Sequence, residues 1–176
     1  MLTTPAEAQE SLKKYQRKRI GFVSMLLLII YACIILYFVL FSDRLGRVEG
    51  YQDYRYNLKI GQEIGRFIKY RNEIAPGAFL LNVIGNFGVF APIGFLVPMW
   101  RTRHKTRWYQ ILLISFFFSL AIETAQLYTK VGVFDVDDLL MNTTGGMLGY
   151  LAYRLIGSFY DFNRRGHLPK NEKQKN

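Results

Sequence analysis

Glu123, Asp135 and Asp138 are the residues of this 176-residue chain whose side chains could carry a reaction. Asp137 stands among them, and the amides Asn82, Asn86, Gln126 and Asn142 come from the same part of the chain. Two carboxyl groups held together can divide the roles of general acid and general base. Asp135 and Asp138 with water could instead hold a divalent cation, which prefers hard oxygen ligands. Each amide offers a donor and an acceptor, which suits recognition of a polar group. No Ser-His-Asp or Cys-His relay can be built, because His104 and His167 fall in basic segments away from the carboxylates. Cys33 is alone in an apolar run, so no disulfide framework and no thiolate metal site exists within one chain.

Helical spacing sorts these groups into faces. Glu123 and Gln126 are three apart, and Ser119 lies four before Glu123. Asn82 and Asn86 are four apart, as are Asp138 and Asn142. At such spacings side chains share one face of a helix. The elements that must carry them are apolar. Hydrophobic residues make up 51% of the chain and are gathered into long runs between short charged segments, the pattern of a polytopic membrane protein rather than of a soluble core. Residues 20–41 carry no charge. As a helix they span about 33 Å at about 1.5 Å per residue, enough for roughly 30 Å of hydrocarbon. The run is too long, and lacks the small-residue cleavage site, for a removable signal peptide. Runs at 79–100, 108–129 and 139–160 complete an all-α fold of four transmembrane helices. The second contains Pro92 and Pro98, tolerated where neighbouring helices cover the freed backbone groups. Arg154 in the fourth can snorkel to the interface. The chain thus divides into a basic segment 1–19, a four-helix membrane domain 20–160 and a basic tail 161–176.

The charges give the orientation. Lys13, Lys14, Arg17, Lys18 and Arg19 precede the first run, Arg101, Arg103, Lys105 and Arg107 link the second to the third, and Arg164, Arg165, Lys170, Lys173 and Lys175 follow the fourth. These three segments share one side in a four-helix topology, so both termini are cytoplasmic. The two segments on the other side, 42–78 and 130–138, hold equal numbers of basic and acidic residues. The net charge of +10 is therefore a topology signal with some affinity for anionic lipid, and no basic groove motif argues for nucleic acid. Within 42–78, Ile60, Ile64, Phe67 and Ile68 form one apolar stripe, which predicts a short interfacial helix over 60–70 in the first outer loop.

In this topology Asn82, Asn86, Glu123, Gln126, Asp138 and Asn142 come from three helices at one depth, near the outer surface. A carboxylate deep in a helix costs about 2.5–3.5 kcal/mol on insertion scales and needs a partner, a cavity or a proton. Each residue also has a plainer use. Asp138 suits the N-cap of the fourth helix, the asparagines can join helices, and Gly145, Gly146 and Gly149 permit close helix approach. Glu123 is the hardest to reduce to packing, because ionisable groups inside a membrane mark functional sites by default.

NVIGNFGVFAPIGFLVP (82–98), IETAQ (122–126) and FDVDDLLMNTTGGMLGY (134–150) resemble the VanZ-like family of bacterial membrane proteins. The order is specific: E-x-x-Q, then D-x-x-D-x-x-x-N-x-x-G. Asn57-Leu58 resembles the Asn-Leu-x-Pro-Phe of many members but lacks the Pro-Phe, and the Arg that many carry three residues before the first Asp is Gly132 here. If that Arg binds an anion in the relatives, the resemblance implies that this chain uses another cation, Arg55 or Lys130. It implies a multi-pass protein of the bacterial plasma membrane that supports tolerance of teicoplanin, a lipid-bearing glycopeptide. Two mechanisms are open. In one, Glu123, Asp135 and Asp138 catalyse a reaction on an envelope lipid or glycan. In the other, Asn82, Asn86, Gln126, Asn142 and Arg55 belong to a site that only binds lipoglycopeptide or a cell-wall lipid precursor, or the protein scaffolds other envelope proteins. A transporter is a weaker third reading, since four helices without a repeat would have to oligomerise.

Overall fold

The computed structural model describes residues 4–41, 53–62, 65, 69, 76–101, 105–130 and 132–166, excepting the side chains of 38–41, 76–83 and 161–166. Among the described residues the elements are four helices and a two-residue parallel strand pair: α1 (Pro5–Phe41), β1 (Tyr56–Asn57), α2 (Pro76–Trp100), α3 (Trp108–Thr129), β2 (Phe134–Asp135) and α4 (Val136–Gly166). The interfacial helix expected over 60–70 lies for the most part outside the described residues.

Three helices start earlier than their apolar runs. α1 extends the expected 20–41 back to Pro5, because PAEAQESLKKYQRKR is rich in helix formers and carries its own start signal. Thr4 and Glu7 form a capping box: Glu7 Oε2 accepts from the Thr4 N–H at 2.8 Å and Thr4 Oγ1 accepts from the Glu7 N–H at 3.4 Å. Pro5 and Pro76 stand at first helical positions, where a missing N–H removes nothing. α2 runs through Pro92 and Pro98 without a break. α3 has the expected bounds 108–129, and α4 extends the expected 139–160 at both ends.

α4 is the central element. It packs most extensively on α2 and next on α3, while α1 packs mainly on α2 and less on α3. Glycines set the α2–α4 distance. A Cβ on Gly94 would overlap the Gly146 carbonyl, one on Gly145 the backbone of Phe87, and one on Gly149 the backbone of Ala91. Gly146 faces the other way, against the Ser115 side chain of α3. Phe90, Ile93 and Val97 of α2 then close a small core with Ile111 and Ile122 of α3, Tyr150 of α4 and Ile35 of α1.

The burial is the reverse of a soluble protein's. The buried set includes Ser24, Ser115, Ser119, Glu123, Asp135, Asp137 and Asn142, while Phe22, Leu155 and Phe159 are 63%, 61% and 72% exposed. A surface of this kind suits hydrocarbon, where backbone and polar groups must be satisfied inside the bundle. Among the described residues two helical stretches are long and apolar enough to cross a membrane, Pro5–Tyr37 and Trp108–Thr129, and α2 contributes the shorter Ile84–Trp100.

The glycine contacts can be tested against a matched control. Gly94→Ala places a methyl group in the backbone of α4 and should destabilise the fold by about 1–3 kcal/mol or more. Gly157→Ala meets open space and should leave stability unchanged or slightly raised. Thermal melting in detergent compares them, and equal melting temperatures would remove the close α2–α4 approach as a determinant of the fold.

Candidate functional site

α3 ends at Lys130, whose backbone is left-handed (φ 55°, ψ 24°) and whose N–H returns to the carbonyls of Gln126 and Leu127. That reversal sends the chain through a short linker to β2 and straight into α4. β2 is held by β1, a segment distant from it in sequence. Tyr56 and Asn57 pair with Phe134 and Asp135, and the Phe134 N–H donates to the Arg55 carbonyl at 3.0 Å.

Asp135 lies where three elements meet. Its Oδ1 accepts from the Asp137 N–H at 2.8 Å, which caps α4. Its Oδ2 accepts from Asn57 Nδ2 at 3.0 Å, and its own N–H donates to Glu123 Oε2 at 3.0 Å. Asp137 turns back toward residues 55–61, where its Oδ1 accepts from the Gly61 N–H at 2.7 Å. Gly61 has φ +80°, a conformation that other residues resist, and Asn57 Oδ1 accepts from the Lys59 N–H at 3.1 Å to hold the approach. Residues 55–61 therefore fold over the first turn of α4. One helical face further along, Asn86 Nδ2 of α2 donates to Asp138 Oδ1. Deeper still, Asn142 Nδ2 donates to Ser119 Oγ at 3.0 Å in a fully enclosed bond between α4 and α3.

The structure thus brings together Glu123, Asp135, Asp138, Asn86 and Asn142 at one end of the bundle, as the spacing implies. Glu123 is 3% exposed. Its Oε1 has no hydrogen-bond partner among the described residues, and Oε2 alone receives the Asp135 N–H. Asp135, by contrast, uses both oxygens on N–H donors. The N-cap expected at Asp138 is a correction: Asp135 fills that place, because β2 ends there and α4 begins one residue later. Of the oxygens that would ligate a divalent cation between Asp135 and Asp138, Oδ1 and Oδ2 of Asp135 and Oδ1 of Asp138 each already accept an N–H. Among the described residues no three His, Cys, Asp or Glu side chains converge as metal ligands.

The remaining expected residues are placed differently. Gln126 is half-buried under the linker, where a Cβ on Gly132 would stand 3.2 Å from its Cβ. Arg55 enters the site through its carbonyl, and its side chain is exposed. The side chain of Asn82 lies outside the described residues. Lys130 lies over the Tyr54 ring at 5.0 Å, a cation–π contact that ties the end of α3 to the segment before β1. Spacing alone missed Asn57 and Gly61. The signals were present, in the Asn-Leu pair at 57–58 and in a lone glycine following Ile60, but neither says which carboxylate it will meet.

Comparison with known families supplies one match. The family model VanZ/LLP1 covers residues 28–157, more than half of the chain, and takes in every hydrogen bond of the carboxylate site. No curated protein and no solved structure matches the chain significantly.

Asp135→Ala removes the cap and leaves the Asn57 amide without its acceptor, so the fold should lose about 1–3 kcal/mol. Asp135→Asn keeps an oxygen for the Asp137 N–H and should recover part of that loss. In a double-mutant cycle with Asn57→Ala, melting in detergent should give a coupling of roughly 0.5–3 kcal/mol. Strict additivity of the two alanine variants would mean that residues 55–61 do not hold the first turn of α4.

Proposed function

The chain belongs to the VanZ/LLP1 family of membrane proteins, and from that premise we propose that the carboxylate site recognises the polar part of a cell-envelope lipid or lipid-bearing glycan. In this reading all four helices cross the bacterial plasma membrane with both termini in the cytoplasm. The site opens to the outer leaflet, and occupation of it supports tolerance of teicoplanin-type glycopeptides. The observation that carries the reading is the open Oε1 of Glu123 beside a fully committed Asp135. Asp135 holds the site together, and Glu123 offers an acceptor, or a proton, to a hydroxyl, amide or phosphate. Asn86, Asp138 and Asn142 frame it from α2 and α4.

A second reading is favoured by the same open oxygen. If Glu123 moves a proton during a reaction on the bound lipid, it is a general acid or base rather than a recognition group. The two readings differ at one atom. Glu123→Gln keeps an oxygen that can accept from the Asp135 N–H, so it should fold with little thermal loss and retain most glycopeptide tolerance in a sensitive host. Glu123→Leu leaves that buried N–H without an acceptor, at about 1–3 kcal/mol, and should lose tolerance. A stable but inactive Glu123→Gln protein would transfer the conclusion to acid–base chemistry.

The orientation has its own test, motivated by the distribution of basic residues. In a Cys33→Ser background, Thr102→Cys and Asn171→Cys should be shielded from a membrane-impermeant thiol reagent in intact cells, and Gln52→Cys should react. Labelling at position 102 from outside would turn the site toward the cytoplasm.

A further inference from the structure

At the end of the bundle away from the carboxylates, α4 presents a second stripe. Thr144, Met147, Leu148, Leu151, Arg154, Leu155 and Ser158 follow one another at helical spacing, and Trp108 at the start of α3 stands beside them. Together with Tyr150 they line a groove of about 620 Å³. Its walls are apolar and open to the outside: Leu151 is 52% exposed, Trp108 59%. One basic group lies along it. Arg154 Nη1 donates to Tyr150 Oη at 3.3 Å, and Tyr150 Oη donates to the Thr106 carbonyl at 2.9 Å, so the guanidinium is anchored to the loop before α3. A guanidinium has five N–H donors, and the others on Arg154 have no hydrogen-bond partner among the described residues. The groove shares no residue with the carboxylate site.

We propose that the groove binds an anionic phospholipid, with an acyl chain along Met147, Leu148 and Leu151 and the phosphate on Arg154 beside Trp108. The chemistry is complementary at both ends. The leucines form a strip that hydrocarbon can cover, and a tryptophan at a helix terminus suits the headgroup level. The planar guanidinium matches a phosphate by paired N–H bonds, and Ser158, one turn beyond Arg154, can add a hydroxyl. An anionic headgroup is favoured over a zwitterionic one, because choline or ethanolamine carries a cation of its own to the same arginine. A second copy of the chain fits less well, since two-fold pairing of this face would set one Arg154 against another. From the proposed function this inference takes only the leaflet, the cytoplasmic one; the binding itself does not depend on orientation.

The test uses the full chain in detergent. Phosphatidylglycerol and phosphatidylcholine with identical acyl chains are titrated in turn, and bound lipid is read by native mass spectrometry. Phosphatidylglycerol should bind about fivefold more tightly, the factor expected of one arginine at the headgroup level. Arg154→Gln should bring the two lipids to equal affinity, Arg154→Lys should keep the preference, and Leu151→Trp, which fills the groove, should weaken both. Glycerol phosphate without acyl chains should not compete. Equal binding of the two lipids by the native chain would overturn the proposal. So would a preference that survives Arg154→Gln, competition by glycerol phosphate alone, or a dimer that gains no lipid. Because the assay reads neither tolerance nor orientation, its failure would leave the carboxylate site's reading untouched.

Discussion

A helix that begins inside a polar cluster exposes N–H groups that no turn of its own can satisfy. α4 begins in this way, and Asp135 meets the requirement for its first turn. The rest of the site follows from that cap. Because Oδ1 is committed to the Asp137 N–H, Oδ2 is free to take Asn57 and so to fasten residues 55–61. Because the Asp135 N–H is outside the helix, it is available to Glu123, the buried carboxyl of α3. One side chain and its own backbone amide therefore connect α3, α4 and residues 55–61. Carboxylates at a helix N-terminus are also where the helix dipole favours negative charge.

The carboxylates can be gathered there only because the helices come close. Gly94, Gly145 and Gly149 let the backbones of α2 and α4 touch, and Gly146 admits Ser115 from α3. Apolar side chains drive little helix association in hydrocarbon, so small residues and interhelical hydrogen bonds carry much of the specificity. The bond from Asn142 to Ser119 and that from Asn86 to Asp138 are of this kind. Each amide thereby serves packing and site geometry together, and a substitution at either changes both.

The two ends of α4 make a contrast. Its first turns are enclosed and dense with hydrogen bonds, whereas residues 151–160 present leucine, isoleucine and aromatic side chains outward. The enclosed end holds polar groups at fixed distances, which suits recognition or proton transfer. The open end offers shape and a single anchored guanidinium, which suits a lipid.

Some of this was decided by local sequence. Residues 108–129 form a helix with those bounds because an apolar run of that length, flanked by charge, has no other low-energy arrangement in hydrocarbon. That Glu123, Asp138, Asn86 and Asn142 gather toward one end of the bundle follows from helix order and spacing, and so was visible before any contact. The choice between Asp135 and Asp138 as the cap was not. Both precede the same apolar run, and either could cap it by local preference. Asn57, 78 residues earlier in the chain, pairs with Asp135 and fixes the start of α4 at Val136. The freedom of Glu123 Oε1 is likewise tertiary, since it depends on which N–H groups reach the carboxyl from other elements. Spacing within a helix fixes which side chains share a face. Only the packing of distant segments decides which of their hydrogen-bonding atoms are already taken.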